Sequence, residues 1–230
     1  MKKKTFLQQL LVVTALLFPP PATAFVYSAE AIEGWVVDAD TGKPVQGAIA
    51  TANWQLEGGL EAGIPRGQIQ ISEDMTDTEG RFHFPAWGSR VSFAGHASYK
   101  WPQILIFKPG FNHLRLANRP RSGSENTNTS EWNRKTVRIA PFKGDGRAYS
   151  REFDVYNREL QSFATQGGDS CAWRSLPKTL KMVANEDARL RSRGLTEFSS
   201  LVSELKSNKK YFDDKGCGPV GNFLRELGQQ

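Results

Sequence analysis

The chain has 230 residues, with 30 lysines and arginines against 24 acids, and a hydrophobic fraction of 39%. That length and apolar content suit one ordinary domain with a smaller unit attached, and rule out a disordered or fibrous chain. Two cysteines and three histidines are too few for a disulfide-dense scaffold or a multi-metal protein.

The N-terminus reads Met1-Lys2-Lys3-Lys4, then a mostly apolar stretch from Phe6 to Phe18, then three prolines and Ala22-Thr23-Ala24. A cationic head, a short apolar middle and a small-x-small end form a signal peptide, so residues 1–24 are expected to be removed on export. The apolar run falls short of the ~20 residues that cross a bilayer, and no transmembrane segment is expected in the mature chain. Loss of this segment takes away three lysines, leaving 27 bases against 24 acids, so the net charge falls from +6 to +3. The expected location is periplasmic or secreted. Residues 25–120 then carry 8 bases and 10 acids, and residues 121–230 carry 19 and 14.

From Ile32 the sequence is short-period and β-rich. Ile32 to Asp38, the turn cluster Asp40-Thr41-Gly42-Lys43-Pro44, and Val45 to Ala50 read as strand, turn, strand. The pattern returns at Met75 to Phe84, where Asp77 to Gly80 supply the turn and Phe82 and Phe84 share a face because the side-chain period is two. Gln103 to Phe107 and Thr136 to Ile139 complete the set. Strands separated by turn signals predict an all-β sandwich.

Gly34-x-Val36-Val37-Asp38, Thr41-Gly42-Lys43-Pro44-Val45-x-Gly47-Ala48 and Thr76-Asp77-x-x-Gly80-Arg81-Phe82 together resemble the carboxypeptidase regulatory-like family over about residues 31–112. The resemblance implies a transthyretin-like antiparallel β-sandwich of extracytoplasmic proteins, appended to peptidases, receptors or adhesins as a non-catalytic part. Tyr99 and Gly110-Phe111 only approximate the family's closing motifs, and the glycine-rich stretch Leu56–Ile69 is longer than its usual spacing.

Asn118 to Glu131 has almost no apolar side chain and reads as an exposed hairpin loop before the last strand. After Lys143-Gly144-Asp145-Gly146 the period becomes helical. Phe153, Tyr156, Leu160 and Phe163 form one stripe, ended at Gly167-Gly168. A second helix runs from Leu176 through Leu190, with Leu180 and Val183 inward. Thr196 is expected to cap a third that carries Phe198, Leu201, Val202 and Leu205. Pro219 to Leu227 forms the last, burying Val220, Phe223, Leu224 and Leu227. The expected organisation is a sandwich over 25–142 and a helical extension over 143–230. Helices this short need partners, each other or the sandwich. In an oxidising compartment Cys171 and Cys217 are expected to form one bridge, contributing about 4 kcal/mol in the chain-entropy account.

The chemistry-bearing residues are sparse. His83 should face solvent opposite Phe82 and Phe84, and His96 and His113 stand in loop-like contexts without a ligand spacing. Asp38, Asp40, Asp77 and Glu79 sit where calcium ligands would gather, although turn formation explains them as well. Arg189, Arg191, Arg193, Lys206, Lys209 and Lys210 read as a solvated helical face interleaved with Glu186, Asp187, Glu204, Asp213 and Asp214. Trp87 and Trp101, in loop-like segments, are the weak candidates for a ligand-stacking platform, against a core role. No catalytic, metal-binding or cofactor-binding set emerges. The expectation is a non-enzymatic binding or structural module of the cell envelope, with an unknown envelope protein or glycan as partner and no nucleic acid. The alternative is an accessory or regulatory subunit of an envelope peptidase or other hydrolase.

Overall fold

A computed structural model describes residues 25–58, 65–92, 96–97, 101–119, 129–165 and 171–228; the expected signal peptide, the Gly167-Gly168 stop and the tip of the Leu56–Ile69 stretch lie outside them. The molecule is a β-sandwich with a helical extension. One sheet has the order β10-β2-β5, from Lys135–Ile139, Ile32–Asp38 and Arg81–Phe84. The other has the order β4-β3-β8-β9, from Pro65–Met75, Ile49–Glu57, Gln103–Phe107 and Leu114–Leu116, with the short β7 (His96–Ala97) beside the far end of β3. A separate ribbon pairs β1 (Phe25–Ala29) with β6 (Trp87–Ser92). The pairing is antiparallel except that β10 runs parallel to β2. The connection from β9 to β10 therefore passes from one sheet to the other, so the expected hairpin is corrected to a crossover. Near its start, Asn118 is a clasp: Nδ2 donates to the carbonyls of Trp101 and Thr129, and Oδ1 accepts from Glu131 N–H.

Alternation builds the space between the sheets. Ile32 and Val36 of β2, Phe82 and Phe84 of β5, and Val137 and Ile139 of β10 meet Ala50, Ala52 and Trp54 of β3 and Ile104 and Ile106 of β8 in one buried cluster. Two glycines are fixed by this packing. A Cβ on Gly34 would lie 2.6 Å from the Phe82 ring, and one on Gly80, at φ +73°, would lie 2.4 Å from the Val36 carbonyl. Thr76, before that turn, closes the sandwich end: its hydroxyl donates to Val45 O at 2.6 Å and accepts from Ala48 N at 2.8 Å.

The other face of β3 is polar in sequence: Thr51, Asn53, Gln55 and Glu57 alternate with the core residues. In an ordinary two-sheet protein that face meets water, yet every residue of β3 and of β8 is buried. The cover is helical. Helix α1 (Gly146–Ala164) lays Tyr149, Phe153, Tyr156, Leu160 and Phe163 against Ile49, Ile71, Leu105 and Phe107, with Phe107 stacked on Tyr156 at 4.1 Å between ring centroids. Helix α2 (Pro177–Arg191) adds Leu180 and Val183. The polar side chains become ties between layers: Gln68 Nε2 donates to Asn53 Oδ1 and Phe163 O, Gln55 Nε2 donates to Ser162 O, and the Thr51 and Thr179 hydroxyls are 3.1 Å apart. Helix α2 has no side-chain cap of its own. Instead, Glu73 of β4 accepts from the backbone N–H groups of Lys178 and Thr179 at 2.8 and 2.7 Å and from the Thr179 hydroxyl, placing a carboxylate at the positive end of the helix dipole.

Beyond α2, the third helix, α3 (Leu201–Ser207), starts later than expected. Ser200, not Thr196, is its N-cap, in a reciprocal capping box with Ser203. Ser200 wins because Asn157 of α1 accepts Leu201 N–H and Asp187 of α2 takes the Ser200 hydroxyl, anchoring that residue from two sides. Phe198 still packs edge-on against Phe153. A further helix, α4 (Lys209–Asp214), precedes α5 (Val220–Glu226). Trp173 is fully buried among Phe212 and Phe223, beside the Cys171–Cys217 disulfide, which closes a 46-residue separation.

Removal of the Glu73 carboxylate in Glu73→Ala should lower unfolding stability by about 2 kcal/mol, the worth of hydrogen bonds to a charged group, in urea denaturation at pH 7. Burial, with a smaller contribution from the Glu73 charge, pushes the Tyr156 phenol above the usual tyrosine range. Its folded-state proton is held where the unfolded chain gives it up, so the stability it confers is intact below about pH 10 and lost as pH rises beyond. Among the described residues the Tyr156 hydroxyl has no hydrogen-bond partner. Tyr156→Phe should therefore cost little at pH 7 and flatten the fall in stability above pH 10.

Candidate binding groove

Of the two tryptophans weighed as a platform against a core role, Trp101 lies in the core and Trp87 is half-buried. Trp101 is 6% exposed and belongs to the sandwich core, with Nε1 donating to Glu57 Oε1 at 3.2 Å. A ring enclosed in this way offers no stacking face, so the ligand-platform reading of Trp101 is corrected to a core role. Trp87 is half-buried, edge-on to Trp54 at 5.7 Å. His83 is exposed, as its strand parity requires. Asp38 and Asp77 are turn formers. Asp38 Oδ1 accepts Asp40 and Thr41 N–H, and Asp77 Oδ1 accepts Glu79 and Arg81 N–H. Those backbone bonds, the Thr41 N–H foremost, hold the Asp38 carboxyl below the usual range. Asp40 pairs with Lys143 at 2.8 Å. Asp145 caps α1 through Ala148 N–H. Among the described residues no three His, Cys, Asp or Glu side chains are grouped to hold a metal ion.

His113 has a role that its sequence context hides. It sits just before β9, 11% exposed, with Nδ1 2.6 Å from Glu152 Oε1 and Nε2 3.6 Å from Glu159 Oε2; its backbone N–H donates to the same Glu152 oxygen. Both carboxylates project from α1, seven residues apart, so the ring fastens the β8–β9 turn to that helix.

A cavity that combines charge with an apolar floor lies where α2 passes the sandwich end. It encloses about 490 Å³ and is lined on one side by Met75 and by Lys108 and Pro109, and on the other by Lys178, Lys181, Met182 and Arg189. The helical wall follows from spacing: positions 178, 181, 182, 185, 186 and 189 fall on one face of α2. The opposite wall is set by where β4 and β8 end. Four cations and one carboxylate, Glu186, therefore share one groove.

These charges are not equivalent. Glu186 is 2% exposed and grips Arg189 in two hydrogen bonds, Nε to Oε2 at 2.7 Å and Nη2 to Oε1 at 2.5 Å. The pair is internally neutral, and Glu186 raises the guanidinium's affinity for its proton. The guanidinium lies over the Tyr149 ring at 5.6 Å, and the Tyr149 hydroxyl accepts Gly110 N–H at 2.9 Å. Burial pushes the Tyr149 phenol above its ordinary range, so it stays neutral. Arg189 thus lines both the groove and a second cavity of about 240 Å³, which Tyr149 and Arg193 also line. Lys178 is partly offset by Asp74 at 3.4 Å, and Lys108 Nζ is 3.4 Å from the Gly47 carbonyl, a neutral acceptor. The charge not matched by a carboxylate rests with Lys108 and Lys181.

Sequence reasoning placed Arg189 and Arg191 on a solvated face among Glu186 and Asp187. Arg191 is exposed and Arg189 partly so, but the two carboxylates are buried and each holds its arginine, Asp187 also accepting the Ser200 hydroxyl. Lys108, Lys178 and Lys181 were not distinguished from other surface lysines. The helical spacing of Lys178, Lys181 and Arg189 is visible in sequence, but Lys108 joins them only through the fold.

No family model matches the chain, and no curated protein matches it in sequence. Three solved structures are similar in part: a streptococcal ancillary pilin (11% identity, 51% of this chain and 30% of that one, TM-score 0.28), 3-chlorocatechol 1,2-dioxygenase from Rhodococcus opacus 1CP (14%, 54% and 62%, TM-score 0.30), and a 9R-lipoxygenase from Cyanothece PCC8801 (11%, 92% and 32%, TM-score 0.26). The chain spans less than two thirds of the length of each, and likenesses this distant assign no role.

Trp101→Ala should act as a core truncation, costing about 3–5 kcal/mol of stability in thermal or urea unfolding. Truncation of a surface platform would leave the midpoint within about 0.5 kcal/mol of wild type.

Proposed function

We propose that the protein is an exported, non-catalytic binding module of the cell envelope and that it holds an anionic ligand in the groove between α2 and the sandwich end. The observation that carries this reading is the set of four cations around one cavity, two of them, Lys108 and Lys181, without a paired carboxylate among the described residues. Charges of one sign in a walled cleft concentrate the opposite ion there. The walls belong to tightly packed elements, α2 being fastened to β4 through Glu73, so the backbone positions that carry the cations are set before binding and the ordering cost falls on the lysine side chains alone.

Export is supported by the cationic, apolar and small-residue order of the first 24 residues and agrees with the intramolecular disulfide. No helix among the described residues is long and apolar enough to cross a membrane. The motif order around Gly34, Gly47 and Gly80 supports membership of the carboxypeptidase regulatory-like family, whose modules serve beside a catalytic partner.

The test is a two-dimensional amide NMR titration of the full mature chain with an acidic glycan fragment and with dodecanoate. Shifts should cluster at Lys108, Lys181 and Asn185. Lys108→Gln combined with Lys181→Gln should weaken binding by roughly two- to thirtyfold, two exposed charge contacts at about 0.2–1 kcal/mol each. Shifts confined to other surfaces, or turnover of a peptide or ester by the purified protein, would contradict the proposal.

A further inference from the structure

Resting on the reading of the groove as a binding site, we infer that its ligand is a single-chain amphipathic anion, a carboxylate or phosphate head on an alkyl tail, taken up as a free molecule. The cations alone would suit any acid; the floor restricts the choice. Met75, at the end of β4, is 41% exposed and lines the groove with Met182 and Pro109. Large apolar side chains with comparable exposure are few among the described residues: Val26, Val91 and Tyr211 besides Met75. A small hydrophilic anion on Lys108 and Lys181 would leave the two methionines in water. An alkyl tail would cover them, and unbranched thioether side chains adapt to a flexible chain. The volume of about 490 Å³ falls within the range of small-molecule pockets, roughly 300–1,000 Å³.

Electrostatics inside the groove fit the same ligand. Glu186, its one carboxylate, is already neutralised by Arg189 through two hydrogen bonds, so its repulsion of an incoming anion is offset. Asn185 adds an amide able to donate to a head oxygen. Head and tail are thus both served within one cavity.

Isothermal titration calorimetry of the full mature chain with hexanoate, octanoate and dodecanoate, all below their micelle concentrations, and with dodecyl phosphate is the test. Affinity should rise about twofold or more per methylene while the tail remains in the groove. Dodecanoate and dodecyl phosphate should both bind, with a negative heat-capacity change. Lys181→Glu should weaken every ligand in the series, whereas Met75→Glu should weaken dodecanoate far more than hexanoate; circular dichroism confirms that each variant is folded. Equal affinity for hexanoate and dodecanoate, or no loss in Met75→Glu, would overturn the amphiphile assignment. So would binding to phosphatidylglycerol vesicles without binding to the monomeric anions. If an acidic glycan fragment shifts the groove residues while the alkyl series does not, the amphiphile assignment fails and the binding-groove reading stands. If neither ligand shifts them, both fail.

Discussion

The architecture depends on burial of both faces of strand β3. Its apolar residues Ala50, Ala52 and Trp54 close the space between the sheets, while Thr51, Asn53 and Gln55 on the reverse lie under helices. Covering that face removes polar side chains from water, which is costly unless each finds a partner. Thr179 meets the Thr51 hydroxyl, Gln68 donates to Asn53 Oδ1 and the Ser162 carbonyl accepts Gln55 Nε2, while Asn53 Nδ2 has no partner among the described residues. The same strands add Ile49, Leu105 and Phe107 to the helical core. Sandwich and helices thus share a wall, and neither layer could shed the other without exposing that wall.

The groove is a consequence of this arrangement. Helix α2 is held at its first turn by Glu73 and by the Thr51–Thr179 contact. It therefore runs past the sandwich end at a fixed height, presenting Lys178, Lys181 and Arg189 to Lys108 and Met75. The Glu186–Arg189 pair, its carboxylate buried, fixes the far end of this wall, with Tyr149 behind it. Strand ends and a helix face, each rigid for its own reason, meet there.

Much of the fold was legible in the sequence because the responsible physics is local. Period-two alternation located β5 and β10, short apolar or β-branched runs bounded by turns located β2 and β8, and the three-four spacing of Phe153, Tyr156, Leu160 and Phe163 located α1 with its buried face. Gly80 was legible because an Asp-x-x-Gly turn needs a residue at positive φ, and the cysteine pair was legible from its count. What escaped was non-local. The strand that carries Thr51, Asn53 and Gln55 was not placed from sequence, and its polar face is buried only by helices more than a hundred positions later. Ser200 outcompeted Thr196 as a cap because of Asn157 and Asp187, residues on other helices. His113 looked unplaced until α1 brought Glu152 and Glu159 beside it. Trp101 sits between residues that suggest a loop, yet its ring enters the core. The groove was least legible of all, since its cations come from separate segments of the chain and one helix face became significant only when it met Met75 and Lys108.

Native-state hydrogen exchange tests the shared wall most directly. If the two layers are one cooperative body, the amides of β3 and β8 and those in the middle of α1 and α2 will exchange with the same opening free energy and the same denaturant dependence, equal to those of global unfolding. Exchange of α1 and α2 through a separate, lower-energy opening that leaves β3 protected would contradict it.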